Sequence, residues 1–224
     1  MEKMLNQDIR KQVQDVFADL KSPVAVLFFG SQVQNCDYCK ETAQLLEEVS
    51  ELSDLIEFKK YDLEANADIA SQFSVDKAPA VVLAAKQGDE LVDYGVRFAG
   101  IPAGHEFTSL IQGLLMVSSG DSGLDEKTKS LLANLSEPLH FYVFVTPTCP
   151  YCPQAVILAH RMAFENKLVQ AEMVEAMEFP ELSNKFGVSG VPHTVINFGA
   201  DEVVGAVPES HMRDRLAQLL VKSA

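Results

Sequence analysis

The feature that most constrains this chain is an internal repeat with one fixed offset. Five landmark residues recur 113 positions later: Cys36, Cys39, Phe73, Val75 and Pro79 correspond to Cys149, Cys152, Phe186, Val188 and Pro192. Because a repeat of this length is the size of a small domain, the 224 residues are predicted to form two similar units. The turn-rich stretch VSSGDSGLDE, residues 117–126, is the natural boundary, so the predicted domains are 1–120 and 121–224.

Each half shows the same order of helix and strand signals. An apolar strand leads through a CxxC pair into a helix, followed by a strand, a short helix, a proline step, two strands and a closing helix. This order is βαβαββα, which predicts an α/β fold, and an extra helix precedes each half at residues 4–20 and about 125–135. The predicted strands are 23–29, 56–61, 80–85 and 91–98, then 139–145, 168–174, 193–198 and 201–206.

Composition excludes several classes of partner. The net charge of −14, from 18 basic and 32 acidic residues, repels phosphate backbones, so no nucleic-acid partner is expected. No apolar run approaches the roughly 20 residues that span a bilayer, and the first 17 residues lack the apolar core of a signal peptide. We therefore expect no membrane partner and a cytoplasmic location. Paired cysteines in that compartment are more often catalytic or metal-binding than structural.

Each cysteine pair, CDYC or CPYC, stands where an apolar strand meets a helix. Unpaired N–H groups at a helix N-terminus stabilise a thiolate there, and a second cysteine one turn later can form a disulfide with the first. This pattern predicts nucleophiles at Cys36 and Cys149, and resolving thiols at Cys39 and Cys152. The tyrosines between them, Tyr38 and Tyr151, either pack beside the sulfurs and contact substrate or are ordinary half-buried side chains.

A proline lies 43 residues after the first cysteine of each half, in KAPAV and GVPHT. A proline just ahead of a strand is usually an ordinary trans residue at a strand edge. The spacing shared with the CxxC pairs favours the alternative, in which Pro79 and Pro192 follow cis peptide bonds. The peptide groups of Ala78 and Val191 would then be free to pair with an extended substrate.

These residues resemble those of the tandem thioredoxin-fold protein disulfide oxidoreductases, also called glutaredoxin-like proteins. Three stretches carry the resemblance beyond the cysteines: GVRFAGIPAGHEF at 95–107, FVTPTCPYCPQAV at 144–156 and EMVEAMEFPE at 172–181. It implies two thioredoxin-like units joined through a mixed central sheet, each with a redox-active dithiol and a cis proline. Where thioredoxins carry a buried acid, this chain has Gly30 and Val143, which leaves the proton acceptor of the resolving cysteines open.

The function expected from the motifs and the resemblance is thiol–disulfide exchange on protein disulfides. Reduction is the expected direction, supplied by a thioredoxin-reductase-like, NADPH-linked partner, with isomerisation as a second possibility. Two alternatives are a glutaredoxin-type iron–sulfur cluster carrier and a redox-linked peptide-binding chaperone. A structural zinc site is disfavoured because Cys39 and Cys149 are 110 residues apart, whereas paired CxxC ligands usually lie 15–20 residues apart. We expect no metal and no bound cofactor.

Overall fold

The computed structural model describes residues 3–34 and 36–223, and these residues form eight α-helices and eight strands. The strands are β1 Val24–Gly30, β2 Ile56–Asp62, β3 Ala80–Gln87, β4 Glu90–Ala99, β5 Leu139–Val145, β6 Val169–Glu175, β7 His193–Ile196 and β8 Asp201–Val204. The helices are α1 Gln7–Phe17, α2 Cys39–Ser50, α3 Ala67–Gln72, α4 Phe107–Ser119, α5 Glu126–Ala133, α6 Cys152–Glu165, α7 Pro180–Lys185 and α8 Glu209–Ser223. The predicted order of elements in each half is confirmed.

All eight strands join in one mixed sheet, in the order β2-β1-β3-β4-β6-β5-β7-β8. Each half contributes four adjacent strands, and the halves meet where β4 pairs with β6 in parallel, from Val96 opposite Ala171 to Ala99 opposite Val174. The predicted joining of two units through their sheets is confirmed. Residues 1–120 and 121–224 are called the N-terminal and C-terminal halves below.

The strand directions place both cysteine pairs on the same side of the sheet, at the carboxyl ends of two internal strands. Strands β1 and β3 are antiparallel, β3 and β4 are antiparallel, and β4, β6 and β5 are mutually parallel, so β1 and β5 run in the same direction. The CxxC pairs follow the carboxyl ends of β1 and β5. Four strand spacings separate these two strands, which corresponds to about 19 Å.

The core lies on both faces of the sheet, which explains why the strands read as continuous apolar runs. In β1, Val24, Val26 and Phe28 face one cluster, and the alternate side chains of Ala25, Leu27 and Phe29 face another. The larger cluster contains buried residues of both halves and of helices α1, α2, α4, α6 and α8. The two halves therefore share a hydrophobic core on this face.

Several predicted boundaries are wrong by a few residues, each for a local reason. Helix α1 begins at Gln7 rather than residue 4 because Asn6 caps it, its side chain accepting a hydrogen bond from the Ile9 N–H. The predicted boundary stretch still belongs to α4 as far as Ser119, where Gly120 ends the helix with a φ of 72°. The last predicted strand stops at Val204, before Gly205 with a φ of 87°.

Candidate active site

Both predicted cysteine pairs are disulfides in the structure. The Cα atoms are 5.3 Å apart in Cys36–Cys39 and 5.5 Å apart in Cys149–Cys152. The pairs differ in exposure, because Cys149 and Cys152 are buried whereas Cys36 and Cys39 are half-buried. Each pair can thus be opened by two electrons to a dithiol and closed again.

The helices begin at the second cysteine of each pair, not at the first as predicted. The first cysteine lies in the turn that precedes the helix, so the residue pair forms a short loop closed by its disulfide. In the first site, the Cys39 N–H donates to the Cys36 carbonyl at 3.4 Å. The first cysteine is therefore close to the helix N-terminus, and stabilisation of its thiolate by the first turn of the helix stays a prediction.

The intervening tyrosines are exposed side chains of these loops. Tyr38 is 48% exposed and Tyr151 is 63% exposed, which is unusual for large aromatic residues and leaves them available to a bound polypeptide. Their contact with substrate stays a prediction.

The two prolines follow cis peptide bonds, Ala78–Pro79 and Val191–Pro192, as predicted. Their carbonyls are used within the fold: that of Pro79 accepts from the Gly100 N–H at 2.9 Å, and that of Pro192 accepts from the Gly205 N–H at 2.8 Å. Among residues 3–34 and 36–223, no backbone hydrogen bond engages Ala78 or Val191. Both peptide groups are therefore free for another chain.

The first cysteine and its proline share one small cavity. Cys36, Ala78 and Pro79 line a space of about 160 Å³, which Met177 and Glu178 of the C-terminal half also line. The second half of the chain thus forms one wall of the first site. The internal repeat does not predict that residues of the second half line the first site, because the repeat relates the two halves to each other and gives no contacts between them.

Gly30 stands beside the resolving sulfur of the first site. A Cβ atom at this position would lie 3.3 Å from the Cys39 Sγ, so a longer side chain here would reach the sulfur. The glycine instead borders a cavity of about 600 Å³ that Cys39, Lys60 and Asp62 also line. Gly30 therefore leaves space beside the resolving sulfur and supplies no proton acceptor of its own.

Glu106 is a buried carboxyl next to the second site. Its short turn, Gly104–Glu106, contacts α6, which Cys152 begins, and the His105 N–H donates to the Pro147 carbonyl at 2.9 Å. One carboxyl oxygen accepts from the Ser109 hydroxyl at 2.5 Å, whereas Oε1 is buried and has no hydrogen-bond partner within the described part of the chain. Burial raises the pKa of Glu106 to about 7, although the Ser109 hydrogen bond acts in the opposite direction.

Glu178 is the corresponding carboxyl at the first site. Its Oε1 accepts from the Ile101 N–H at 2.7 Å. Burial raises its pKa to about 7, and the negative charges of Glu175 and Asp37 add to this effect. Neither glutamate was predicted as a site residue, because each comes from the opposite half to its dithiol. Both glutamates lie in stretches that carry the family resemblance, GVRFAGIPAGHEF and EMVEAMEFPE, and this is the signal in the sequence that points to them.

Residues 3–34 and 36–223 contain no group of three or more His, Cys, Asp or Glu side chains placed to hold a metal ion. No helix within those residues combines the length and the apolar character needed to cross a membrane.

Comparison with protein families matches each half separately. The thioredoxin family model matches residues 5–98, and a thioredoxin-domain model matches residues 139–217. Among curated proteins, an alkyl hydroperoxide reductase subunit of Staphylococcus aureus is 29% identical over 194 residues, which are 87% of this chain and 34% of that protein. The same subunit of Staphylococcus epidermidis is 30% identical over 180 residues, 80% of this chain and 32% of that protein. The chain spans about a third of the length of these curated relatives.

Comparison with solved structures matches the whole chain. A protein disulfide oxidoreductase from Aeropyrum pernix superposes with a TM-score of 0.85 at 33% identity, covering 94% of this chain and 91% of that one. The NTD_N/C domain of the alkyl hydroperoxide reductase AhpF from Enterococcus faecalis also gives a TM-score of 0.85, at 27% identity, covering 95% and 99%. The tandem arrangement is therefore shared over essentially the full length of both.

Proposed function

Because the chain belongs to the protein disulfide oxidoreductases built from two thioredoxin folds in tandem, we propose that both of its dithiols reduce disulfides of extended polypeptides. Thiol–disulfide oxidoreductase activity follows from the family and from the two close cysteine pairs. The proposal adds the roles of the individual residues, the direction of electron flow and the partners.

One observation carries the assignment of residues: each disulfide is accompanied by a cis proline whose preceding peptide is unpaired. At the first site, Cys36 and Ala78 line the same cavity. An extended client that hydrogen-bonds to the Ala78 peptide, as in strand addition, would pass alongside the Cys36 sulfur. The repeat offset assigns the same role to Val191 beside Cys149. Tyr38 and Tyr151 supply exposed aromatic surface for the client at each site.

The proposed reaction at the first site has two exchange steps. The Cys36 thiolate attacks one sulfur of the client disulfide, and the other client sulfur leaves as a thiolate and takes up a proton. The Cys39 thiol then loses its proton and attacks the Cys36 sulfur, which releases the second client thiol and forms the Cys36–Cys39 disulfide. Two electrons have moved from the protein to the client. Cys149 and Cys152 take the same roles at the second site.

For the second site, Glu106 is the proposed acceptor of the Cys152 proton. Its buried, unpartnered Oε1 and its turn against α6 support this role. A carboxyl whose pKa is raised to about 7 is a far better base than an ordinary glutamate at neutral pH, because the Brønsted optimum lies near the working pH. This glutamate replaces the acid that the sequence lacks at Val143.

Reduced dithiols must be regenerated by an electron donor. We assign the role of electron donor to an NADPH-linked, thioredoxin-reductase-like partner. The similarity to the alkyl hydroperoxide reductase subunit supports this choice, because the region similar to this chain is 34% of that subunit and the rest of the subunit is about twice as long. The same similarity makes a disulfide formed during hydroperoxide reduction a suitable client. A reducing, cytoplasmic setting belongs to this proposal.

The test is the reduction of insulin by dithiothreitol, followed by turbidity. The protein should accelerate the reaction. A Cys36→Ser, Cys39→Ser variant and a Cys149→Ser, Cys152→Ser variant should each retain part of the acceleration, and a variant with all four cysteines changed should have none. Absence of acceleration by the intact protein overturns the proposal. Suppressed aggregation by the four-serine variant, without redox activity in the intact protein, indicates the chaperone alternative.

A further inference from the structure

Glu178 is held at the first dithiol by the loop that follows β4 in the opposite half. The Ile101 N–H donates to its Oε1 at 2.7 Å, and Gly100 lies against the same oxygen. Gly100 has a φ of 96°, and a Cβ atom there would lie 2.7 Å from Oε1 and 2.6 Å from the Glu175 Cβ. Only glycine allows this approach without strain. The N-terminal half is thus shaped to hold a carboxyl that the C-terminal half supplies.

The other carboxyl oxygen of Glu178 has no partner. Oε2 is buried and makes no hydrogen bond to residues 3–34 or 36–223, although Glu178 lines the cavity that Cys36, Asp37 and Pro79 also line. Buried polar atoms are nearly always hydrogen-bonded, and a redox or catalytic role is one of the reasons for an unpaired one. The candidates within this cavity are a thiol at Cys36 or a group on a bound client.

We infer that Glu178 is a positioning residue of the first dithiol, whose charge opposes formation of the Cys36 thiolate and thereby makes this dithiol more strongly reducing than it would be without the carboxylate. The inference rests on the proposed function, in which Cys36 is a nucleophile. Two negative charges in one small cavity disfavour each other, so ionisation of Glu178 raises the pKa of the Cys36 thiol. The two groups then titrate as a coupled pair rather than independently.

The other charges around Glu178 fit this role. Asp37, from the turn between the cysteines, and Glu175, from its own loop, both add negative charge and oppose its ionisation. Lys77 and Lys185 line the adjacent cavity of about 640 Å³ together with Glu178. Lys77 is committed to the carboxylates of Glu172 and Asp76, so it supplies little positive charge to the dithiol. The charged groups that shift the pKa of Glu178 are therefore carboxylates.

The test uses the full chain with Cys36 as its only cysteine, through Cys39→Ser, Cys149→Ser and Cys152→Ser. Iodoacetamide alkylation is measured from pH 5 to 10, with and without Glu178→Gln. The amide keeps an oxygen for the Ile101 N–H but removes the charge. We expect the midpoint of Cys36 titration to fall by about one pH unit in the Gln variant. Glu126→Gln, an equal charge change at a 93% exposed side chain in α5, should leave the midpoint unchanged.

A second measurement separates this inference from the proposed function. In the Cys149→Ser, Cys152→Ser background, the reduction potential of the first dithiol should rise by about 30 mV on Glu178→Gln, the equivalent of a tenfold change in the equilibrium constant. An unchanged midpoint and potential in the Gln variant, or an equal shift in the Glu126→Gln control, overturns the inference. Failure of insulin reduction with the shifts intact overturns only the proposed function.

Discussion

The Lys77 ammonium group lies 3.0 Å from the Glu172 carboxylate, across the junction between the two halves. Both side chains are largely buried, and Lys77 also lies 5.6 Å above the ring centre of Tyr142 on β5. Because Lys77 directly precedes the Ala78–Pro79 peptide, this ion pair ties the cis-proline turn of the first site to a strand of the second half. Burial by itself lowers the pKa of Lys77, but the carboxylates of Glu172 and Asp76 outweigh it and raise the pKa.

Lys77→Met is expected to destabilise the protein by about 3–5 kcal/mol, because it leaves the Glu172 charge buried without its partner. Burial already raises the pKa of Glu172, and loss of Lys77 raises it further. A raised carboxyl pKa contributes stability at low pH that is lost as the pH increases, so the defect should be larger at pH 8 than at pH 5. Urea unfolding at both pH values measures the difference.

The control for this ion pair is Lys59→Met, which removes a half-exposed partner of Glu57 and should cost less than about 1 kcal/mol. A second change, Glu172→Leu, should recover most of the stability lost in Lys77→Met. If the double variant is no more stable than the single one, the buried charge is not the cause of the loss.

Glu106 should make stability fall with increasing pH. Its pKa is raised from 4.5 to about 7 by burial, so its contribution is fully present below pH 4.5 and is lost as the pH passes 7. This shift corresponds to about 3 kcal/mol as an upper limit. Glu106→Gln should therefore flatten the dependence of unfolding free energy between pH 5 and 8. An unchanged slope means that Glu106 ionises as an ordinary surface carboxyl.

Glu106→Gln should also impair exchange at the second site. In the Cys36→Ser, Cys39→Ser background, insulin reduction should slow by at least tenfold if Glu106 takes the Cys152 proton, since general acid–base groups typically contribute 10²- to 10⁴-fold. The same substitution in the Cys149→Ser, Cys152→Ser background should have little effect. Equal losses in the two backgrounds would indicate a general structural defect.

The sequence predicts this fold well wherever a repeated pattern is also buried. The run LHFYVFV coincides with β5 because both faces of that strand are covered, and the cis prolines follow from a spacing that occurs twice. The same reasoning fails for Glu106 and Glu178. Each lies beside the dithiol of the other half, and only the pairing of β4 with β6 brings their loops there. Periodicity within one half carries no information on that pairing.

Cleavage near Ser122 should give two fragments that keep secondary structure, because each half contains a full βαβαββα set. Each fragment should be less stable than the same half in the intact chain. Separation exposes the paired edges of β4 and β6, and it uncovers the larger hydrophobic cluster that both halves share. Circular dichroism melts of the isolated and recombined fragments measure this. Fragments that melt at the temperature of the intact chain contradict a stabilising junction.

The two nucleophiles should differ because their loops differ by one charge. Asp37 follows Cys36, whereas Pro150 follows Cys149 and carries none. A carboxylate beside the sulfur repels the thiolate and partly cancels the positive helix N-terminus, so Cys36 should have the higher pKa and Cys149 the lower. Since a stabilised thiolate favours the reduced state, the CPYC dithiol should be the more oxidising, by roughly 30 mV for each 1.4 kcal/mol.

Alkylation by iodoacetamide against pH tests this on variants that retain only Cys36 or only Cys149. Midpoints are the quantity to compare, because Cys36 is half-buried and Cys149 is buried, which alone changes the absolute rates. Asp37→Asn should lower the Cys36 midpoint by a few tenths of a pH unit at 0.15 M salt and by more at 0.01 M, since Asp37 is exposed and salt screens its charge. A Cys36 midpoint at or below that of Cys149 contradicts the charge argument. A Cys36 midpoint that moves with Glu178→Gln but not with Asp37→Asn shows that the carboxyl from the opposite half, and not Asp37, raises the pKa of Cys36.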